Sequence, residues 1–505
     1  MVTLADLLAV FPQLALDVAL PAAPVRIDSV AVDSRRCGPG VLFVAVRGAA
    51  ADGHAHLAAA VAAGCAAVLV EADAPAPAGV PVLRARGTRP WPARLAREIA
   101  GRPDTDLCAI GITGTNGKTT TAFLLRRLLE RGAGPCGLLG TIRYETGARS
   151  LAAPLTTPDG PTLYGLLSEM RGHGCRAVAL EVSSHALDQD RAADLALDAA
   201  VMTNLSRDHL DYHADLDDYL RAKVRILELL RGDRRGKPDG VAVLNADEPA
   251  FDRLDTAGLR VVRYGTGRRP GAPADLAVRA ADLRRSGTRL QLDWRGEPLA
   301  LQSRLVGRFN VENLTAALAA GLGLGFPPAV CLAALAAAEQ VPGRMESFDL
   351  PSGATAVVDY AHTPDALAAV LQSCRELAPR RLVAVFGCGG DRDRGKRPLM
   401  GAVAARLADA TWITSDNPRG EEPGAICDQI AAGFTAETAR RSSDFRLEPD
   451  RAAAIRGALA EAADGDTVVI AGKGHEDYQL IGDARLDLDD RRLVRDWIAE
   501  VSREA

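Results

Sequence analysis

Residues 108–125 read C-A-I-G-I-T-G-T-N-G-K-T-T-T-A-F-L-L, and the fold follows from how that stretch is read. An apolar run of strand length, 108–113, enters a glycine-rich turn, and residues 119–129 have helix-forming composition. Strand, glycine loop and helix in that order build a phosphate cradle. Backbone N–H groups and the helix N-terminus face anionic oxygens, a lysine reaches the terminal phosphates, and the next hydroxyl can ligate Mg²⁺. Lys118 and Thr119 occupy those last two places. The template G-x-x-x-x-G-K-[ST] would put its first glycine at Ile112, with Gly111 and Gly114 on either side. The competing reading is a surface turn with a solvated lysine. The pattern predicts a nucleotide site and leaves the reaction open.

The chain of 505 residues is long enough for two to four domains. Its formal net charge is −5, with acidic and basic residues interspersed. That excludes a nucleic-acid arm or a polybasic membrane patch and still allows a small anionic ligand. Nine cysteines are scattered without a C-x-x-C pair. This fits reduced thiols in a cytoplasmic protein better than a disulfide frame or a zinc site. No signal peptide or apolar span of membrane length is seen, so a soluble cytoplasmic protein without membrane insertion is expected.

Short apolar runs alternate with amphipathic helices throughout, which predicts an α/β architecture with largely parallel sheets. Two seams divide it: the Pro/Gly/Arg-rich connection 85–92, and residues 340–343 after an alanine-rich helical stretch, 328–339. The expected domains are 1–88, 89–340 and 341–505. The third is expected to hold strands at 354–358, 382–386, 410–414 and 467–471.

In the middle domain, E-V-S-S-H (181–185) follows the apolar run 177–180, and T-N-L-S-R-D-H-L-D-Y-H (203–213) follows 199–202. Ligands of open parallel sheets bind beyond the carboxyl ends of strands, so Glu181 and the Asp208–His209 pair should emerge beside the glycine loop. There they would serve as Mg²⁺ ligands or water-positioning groups. The next helix, expected over 216–230, sets Leu216, Tyr219, Leu220, Ile226, Leu227 and Leu230 on one face with Lys223 at its centre. Lys223 can snorkel, its stem packed and its ammonium in water. It can instead be desolvated, which lowers its pKa and leaves a nucleophilic amine able to capture CO₂ as a carbamate. Periodicity does not choose between the two.

These stretches carry a family resemblance when joined with V-G-R-F-N-V-E-N (306–313), P-G-R-M-E (342–346), V-V-D-Y-A-H-T-P-D-A-L (357–367), F-G-C-G-G-D-R-D-R-G-K-R-P (386–398), D-N-P-R-G-E-E-P (416–423) and A-G-K-G-H-E-D-Y-Q (471–479). In order, from Asp33 to Tyr478, the sequence resembles the Mur ligases of peptidoglycan synthesis, in the branch that adds meso-diaminopimelate. The loop form G-T-N-G-K-T is usual in that family, so Ile112 is a family trait. The resemblance implies a small N-terminal α/β nucleotide-sugar domain, a central P-loop ATPase-like parallel sheet and a C-terminal Rossmann-like domain. It further implies transfer of the γ-phosphoryl of ATP to a carboxylate, and attack of an amine on the resulting acyl phosphate. The acceptor would be UDP-N-acetylmuramoyl-L-alanyl-D-glutamate and the enzyme a monomer.

Carried over position by position, the resemblance gives ATP the loop Gly114, Thr115, Asn116, Gly117, Lys118, Thr119 and Thr120, with Asn310 and Asn313 on the adenine side and Arg344 and Asp359 as phosphate and ribose contacts. Lys118, Glu181, His209 and Lys223 would be catalytic. Thr119, Glu181, His209 and Lys223, the last as N6-carboxylysine, would ligate Mg²⁺. Val32, Ser34, Ala49, Ala50, Ala51, Thr156, Thr157, Ser183, Gln189 and Arg191 would hold the UDP-muramoyl dipeptide. Leu155 stands where members can carry a polar residue. In the third domain, the segments after three apolar strands should converge on a crevice for meso-diaminopimelate, holding Arg392, Asp416, Asn417, Pro418, Arg419, Gly472 and Glu476. This diamine differs from lysine by a carboxylate beside its distal amine, which calls for a planar, bidentate cation, and Arg419 is the candidate. A different ATP-dependent ligase of the same superfamily and a non-catalytic nucleotide-binding protein are the alternatives.

Overall fold

The computed structural model describes residues 2–17, 23–48, 51–75, 77–209, 212–377, 379–441 and 445–504. The chain forms two compact units, one of residues 1–278, 293–297 and 313–335, the other of 279–292, 298–312 and 336–505.

The first unit contains two main sheets, beside the two-stranded pair Val2–Thr3 and Arg26–Ile27. In the smaller, the strands run in the order Ala15–Leu16, Val82–Ala85, Ala67–Glu71, Val41–Val44 and Ser29–Ala31, parallel except at Ala15–Leu16. In the larger, Cys136–Leu139, Ala177–Glu181, Cys108–Thr113, Ala199–Met202, Val241–Asn245 and Arg260–Gly265 lie side by side and parallel. All but Arg260–Gly265 are buried on both faces, as covered parallel strands require, and this explains their unbroken apolar runs. Cys108–Thr113 is central, so the loop that follows it opens at the middle of the carboxyl edge.

The expected seam at 85–92 is not a loose linker. Glu71 accepts the N–H groups of Gly87 and Thr88 and the Thr88 hydroxyl, each at 3.0 Å. Trp91 then opens the helix Trp91–Ile99 and packs edge-on against Phe11, with ring centroids 5.2 Å apart. Both sheets therefore contribute to one hydrophobic core. Trp91 is 3% exposed, so Trp91→Ala should destabilise this unit by about 3–5 kcal/mol. Thermal or denaturant unfolding of the two proteins checks this.

In the second unit the order is Glu346–Asp349, Thr355–Asp359, Thr467–Ala471, Leu382–Phe386, Ala410–Ile413 and Phe445–Leu447, parallel beyond the first pair. The four strands expected here are present, displaced by no more than one residue at an end. The alanine-rich helix ends at Ala336 rather than 339. The helix expected over 216–230 is α-helical only through Val224 and tightens to a 3₁₀ turn over Arg225–Leu230. At the change, the Arg225 guanidinium donates to the carbonyls of Leu187 and Asp188 and pairs with Asp190. Tyr219, Ile226, Leu227 and Leu230 are buried as expected, Lys223 is buried with them, which decides between its two readings, and Leu216 in the first turn is exposed.

Candidate functional site

The helix after the glycine loop runs Lys118–Gly132, with Gly117 at its N-cap. Gly114 and Gly117 have φ of +145° and +85°, where L side chains are strained. A Cβ at Gly114 would lie 1.9 Å from Thr203 Oγ1, and one at Gly117 would lie 2.4 Å from Asn313 Oδ1. The loop is thus clamped between the turn after Ala199–Met202 and Asn313, whose Oδ1 also accepts the Thr121 hydroxyl at 3.4 Å. The Asn204 side chain accepts the Asn116 N–H at 2.8 Å, and Asn204 O accepts the Thr115 N–H at 3.0 Å. Lys118 Nζ donates to the carbonyls of Gly114 and Thr115 at 2.7 and 2.8 Å, folded over its own loop.

Glu181 ends the neighbouring strand and is 1% exposed. It accepts the Thr119 hydroxyl at 3.0 Å and the Thr141 N–H and hydroxyl at 2.9 and 3.0 Å. Thr141 was not singled out in the sequence, although it also lies just past a parallel strand, Cys136–Leu139, so the same strand-end rule applies to it. A serine or threonine hydroxyl beside a carboxylate under the helix N-terminus is a donor set of hard oxygens that suits Mg²⁺. Among the described residues, no cluster of three or more His, Cys, Asp or Glu side chains could hold a metal.

His209 is half exposed and has φ of +54°, a left-handed geometry that histidine adopts more readily than most residues. Lys223 is 1% exposed, so its ammonium does not snorkel. Its Nζ sits 4.0 Å from the Tyr219 ring centroid, and the His209 ring is 6.0 Å from the same ring. Burial, and then the like charge of Lys118, hold the Lys223 amine well below its usual range.

The acceptor residues form a continuous chain of hydrogen bonds. Thr156 Oγ1 is 3.1 Å from Thr141 Oγ1. The Thr157 hydroxyl donates to Glu181 O at 2.9 Å and accepts the Ser183 N–H at 3.0 Å. Arg191 Nη1 donates to Thr157 O at 3.3 Å, and its Nε and Nη2 donate to Gln189 Oε1 at 2.9 and 2.6 Å. Gln189 Nε2 in turn donates to the Tyr212 hydroxyl at 3.2 Å. A cavity of about 220 Å³ beside them is lined by Val32, Gly48, Arg89, Gln189, Arg191 and Tyr212, among others. The two sheets of the first unit therefore share one pocket. Ser34 and Ala51 do not line it, Leu155 is exposed, and Ala49 and Ala50 lie outside the described residues.

In the second unit, Arg344 lies over the Tyr360 ring at 4.6 Å. Asp359 accepts the N–H groups of Met345 and Ala361, and burial pushes its carboxyl up. Asn310 donates to Val306 O at 2.8 Å. The segments after Leu382–Phe386, Ala410–Ile413 and Thr467–Ala471 do converge. Asn417 Nδ2 donates to Glu476 Oε2 at 3.0 Å, and a Cβ at Gly472 would lie 2.8 Å from Asp416 Oδ2. Arg419 Nη1 donates to Gly390 O at 2.8 Å. Gly389 is flanked by that same Nη1 and by the stem of Arg392, which is itself exposed. Lys473, unremarked in the sequence, is buried among these groups.

Comparison with known proteins places this geometry. Residues 26–98 match the model described as "Mur ligase family, catalytic domain", 112–321 the "Mur ligase middle domain" and 343–474 the "Mur ligase, glutamate ligase domain". The UDP-N-acetylmuramoyl-L-alanyl-D-glutamate–2,6-diaminopimelate ligase of Geobacter metallireducens is 41% identical, covering 95% of each chain. Its namesake from Solibacter usitatus is 42% identical, covering 94% of each. A solved structure of a ligase of the same name superposes with a TM-score of 0.69 at 33% identity, covering 98% of this chain and 99% of that one. With the glycine loop, the strand-end carboxylate and the shared pocket all falling inside the matched segments, the chain belongs to the Mur ligase family.

Proposed function

We propose that this protein joins meso-diaminopimelate to the D-glutamate carboxylate of UDP-N-acetylmuramoyl-L-alanyl-D-glutamate, with ATP as the phosphoryl donor, in peptidoglycan precursor synthesis. The observation that carries this reading is the unbroken path from the phosphate loop to the acceptor pocket. Thr119 meets Glu181, Glu181 meets Thr141 and, through its carbonyl, Thr157, and Thr157 meets Ser183 and Arg191. A carboxylate is a poor electrophile until one of its oxygens becomes a phosphate leaving group. The first task of the site is to hold that carboxylate in line with a γ-phosphoryl and to offset charge.

Each residue then has a place. Gly114, Thr115, Asn116 and Gly117 present the loop, with Lys118 at the β- and γ-phosphates and Thr120 in the first helical turn. Asn313 braces the loop from below, and Asn310, Arg344 and Asp359 are assigned to the nucleotide. Thr156, Thr157, Ser183, Gln189 and Arg191 orient the dipeptide, and Val32 with the segment around Ser34 and Ala51 serves the uridine nucleotide. Thr119, Glu181, His209 and a carbamylated Lys223 would hold Mg²⁺, which when bound supplies charge neutralisation at the phosphates. The domains are assigned as 1–88, 89–340 and 341–505, and the protein as a cytoplasmic monomer. Among the described residues no helix is long and apolar enough to cross a membrane.

Phosphate release tests the reaction. It should require the UDP-linked dipeptide and meso-diaminopimelate together, and the product mass should equal the sum of the two less one water. Release with neither, or no release with both, would overturn the assignment.

Arg419 is assigned to the distal carboxylate of the amine substrate. Its guanidinium is steered by the Gly390 carbonyl, and its backbone N–H is held by Leu480 O at 2.9 Å, so the side chain is pre-positioned. Removing one member of a desolvated charge pair costs roughly 2–5 kcal/mol. Arg419→Ala should accordingly lower kcat/KM for meso-diaminopimelate by about 30-fold to a few thousand-fold, with the KM for ATP almost unchanged. Wild-type use of L-lysine at a comparable rate, or an unchanged preference in the variant, would defeat this assignment.

A further inference from the structure

The loop after Thr467–Ala471 carries a cation to which the mechanism above gives no role. Lys473 is 0% exposed. Its Nζ lies 3.2 Å from Asn417 Oδ1, 3.2 Å from Glu476 Oε2 and 3.9 Å from Asp416 Oδ1. The Tyr478 ring closes the cage, with its centroid 5.3 Å away. A buried ammonium persists only where its charge is matched and its protons are accepted, and here both conditions are met by three residues assigned to the amine substrate.

The cage also orders those residues. Asn417 Oδ1 accepts both Lys473 Nζ and the Leu480 N–H, the latter at 3.0 Å, which turns Nδ2 toward Glu476 Oε2. Glu476 Oε2 thereby receives two protein donors, while Oε1 lies 3.5 Å from the Tyr360 hydroxyl. Beneath them Arg451 and Asp490, both fully buried, neutralise each other at 2.6 Å and tie down Ser415 O and Ala471 O. With that pair self-compensated, Asp416, Glu476 and Lys473 together carry one net negative charge. Without Lys473 they would carry two.

Resting on the amino-acid site proposed above, we infer that Lys473 is a specificity-determining positioning residue. It fixes the orientation of Asn417 and Glu476, and its charge disfavours a substrate whose distal end is a bare ammonium relative to one whose distal end is zwitterionic. The distal ends of L-lysine and meso-diaminopimelate differ in that way, by one net charge. Discrimination between them then comes from a like-charge penalty against lysine as well as from the attraction at Arg419.

The test uses the full-length enzyme with saturating ATP and UDP-linked dipeptide, scoring both amines by product mass. The readout is the ratio of kcat/KM for meso-diaminopimelate to that for L-lysine. Lys473→Met should lower this ratio by about tenfold or more, mainly through KM for the amines, while the KM for ATP stays put. Glu476→Gln removes a negative charge from the same cage and should move the ratio the opposite way. If Lys473→Met shows no cooperative thermal unfolding, Glu476→Gln decides alone. A ratio within about twofold of wild type in Lys473→Met, or a fall in Glu476→Gln, overturns this inference while leaving the ligase assignment standing. A wild-type enzyme that joins neither amine to the dipeptide overturns the assignment and this inference with it.

Discussion

Lys118→Ala is expected to abolish ligation while leaving the protein folded. Lys118 opens the helix Lys118–Gly132, and its Nζ is held by two carbonyls of the loop it closes. Lys118 itself is only half-buried, so truncation removes a partly solvated side chain and leaves no unpaired charge and no core cavity. The cost falls on the reaction. A cation that meets the transferring phosphoryl offsets charge spread over its equatorial oxygens, and groups in that role are worth about 10³–10⁵ in rate. Phosphate release measured beside thermal unfolding separates the two effects. A normal rate in this variant would remove the loop from the mechanism, and a collapsed melting transition would make Lys118 a structural residue.

Lys223→Ala is expected to lose about 10²- to 10³-fold in kcat, and a short carboxylate such as acetate should restore part of it. The reasoning begins with burial. An amine deprived of water and facing the like charge of Lys118 is held well below its usual range, which favours the neutral form. A neutral amine attacks CO₂, forming an N–C bond and releasing a proton. The product is an anionic pair of oxygens where a neutral amine had been, and acetate offers the same pair without the tether. Formate, being smaller, should rescue as well, whereas methylammonium should not. A crystal grown with bicarbonate and Mg²⁺ that showed a bare ammonium at Lys223 would count decisively against the carbamate. So would full activity in the alanine variant.

Several parts of this site were legible before any fold was known, because they depend on local chain properties. Residues 108–112 are apolar because they form most of a strand covered on both faces, and the glycines after that strand stand where φ is positive. Glu181 was found because it ends an apolar run, and the ends of neighbouring parallel strands lie side by side. Lys223 stood out because a helical period placed a charge among apolar residues, and burial followed.

Other parts were decided only when distant segments met. Periodicity extended the helix to residue 230, but the guanidinium of Arg225 is drawn to carbonyls 37 and 38 positions away, and the helix tightens there. Asn313 reaches Thr121 across 192 positions, and nothing near either residue signals it. The connection at 85–92 has the composition of a linker, yet Glu71 ties it down and Trp91 buries itself against Phe11. Lys473 looked like one more polar residue in a glycine-rich turn. Its partners on the 416–417 segment are 56 and 57 positions away, supplied by a neighbouring loop of the same sheet edge. The sequence by itself determined the order of strands, loops and helices, and hence which residues emerge at the carboxyl edges, since backbone conformation and burial period are written over a few neighbouring residues. Only the tertiary structure decided which side chains satisfy one another there, because hydrogen bonds and charge pairs depend on distances that local sequence does not encode.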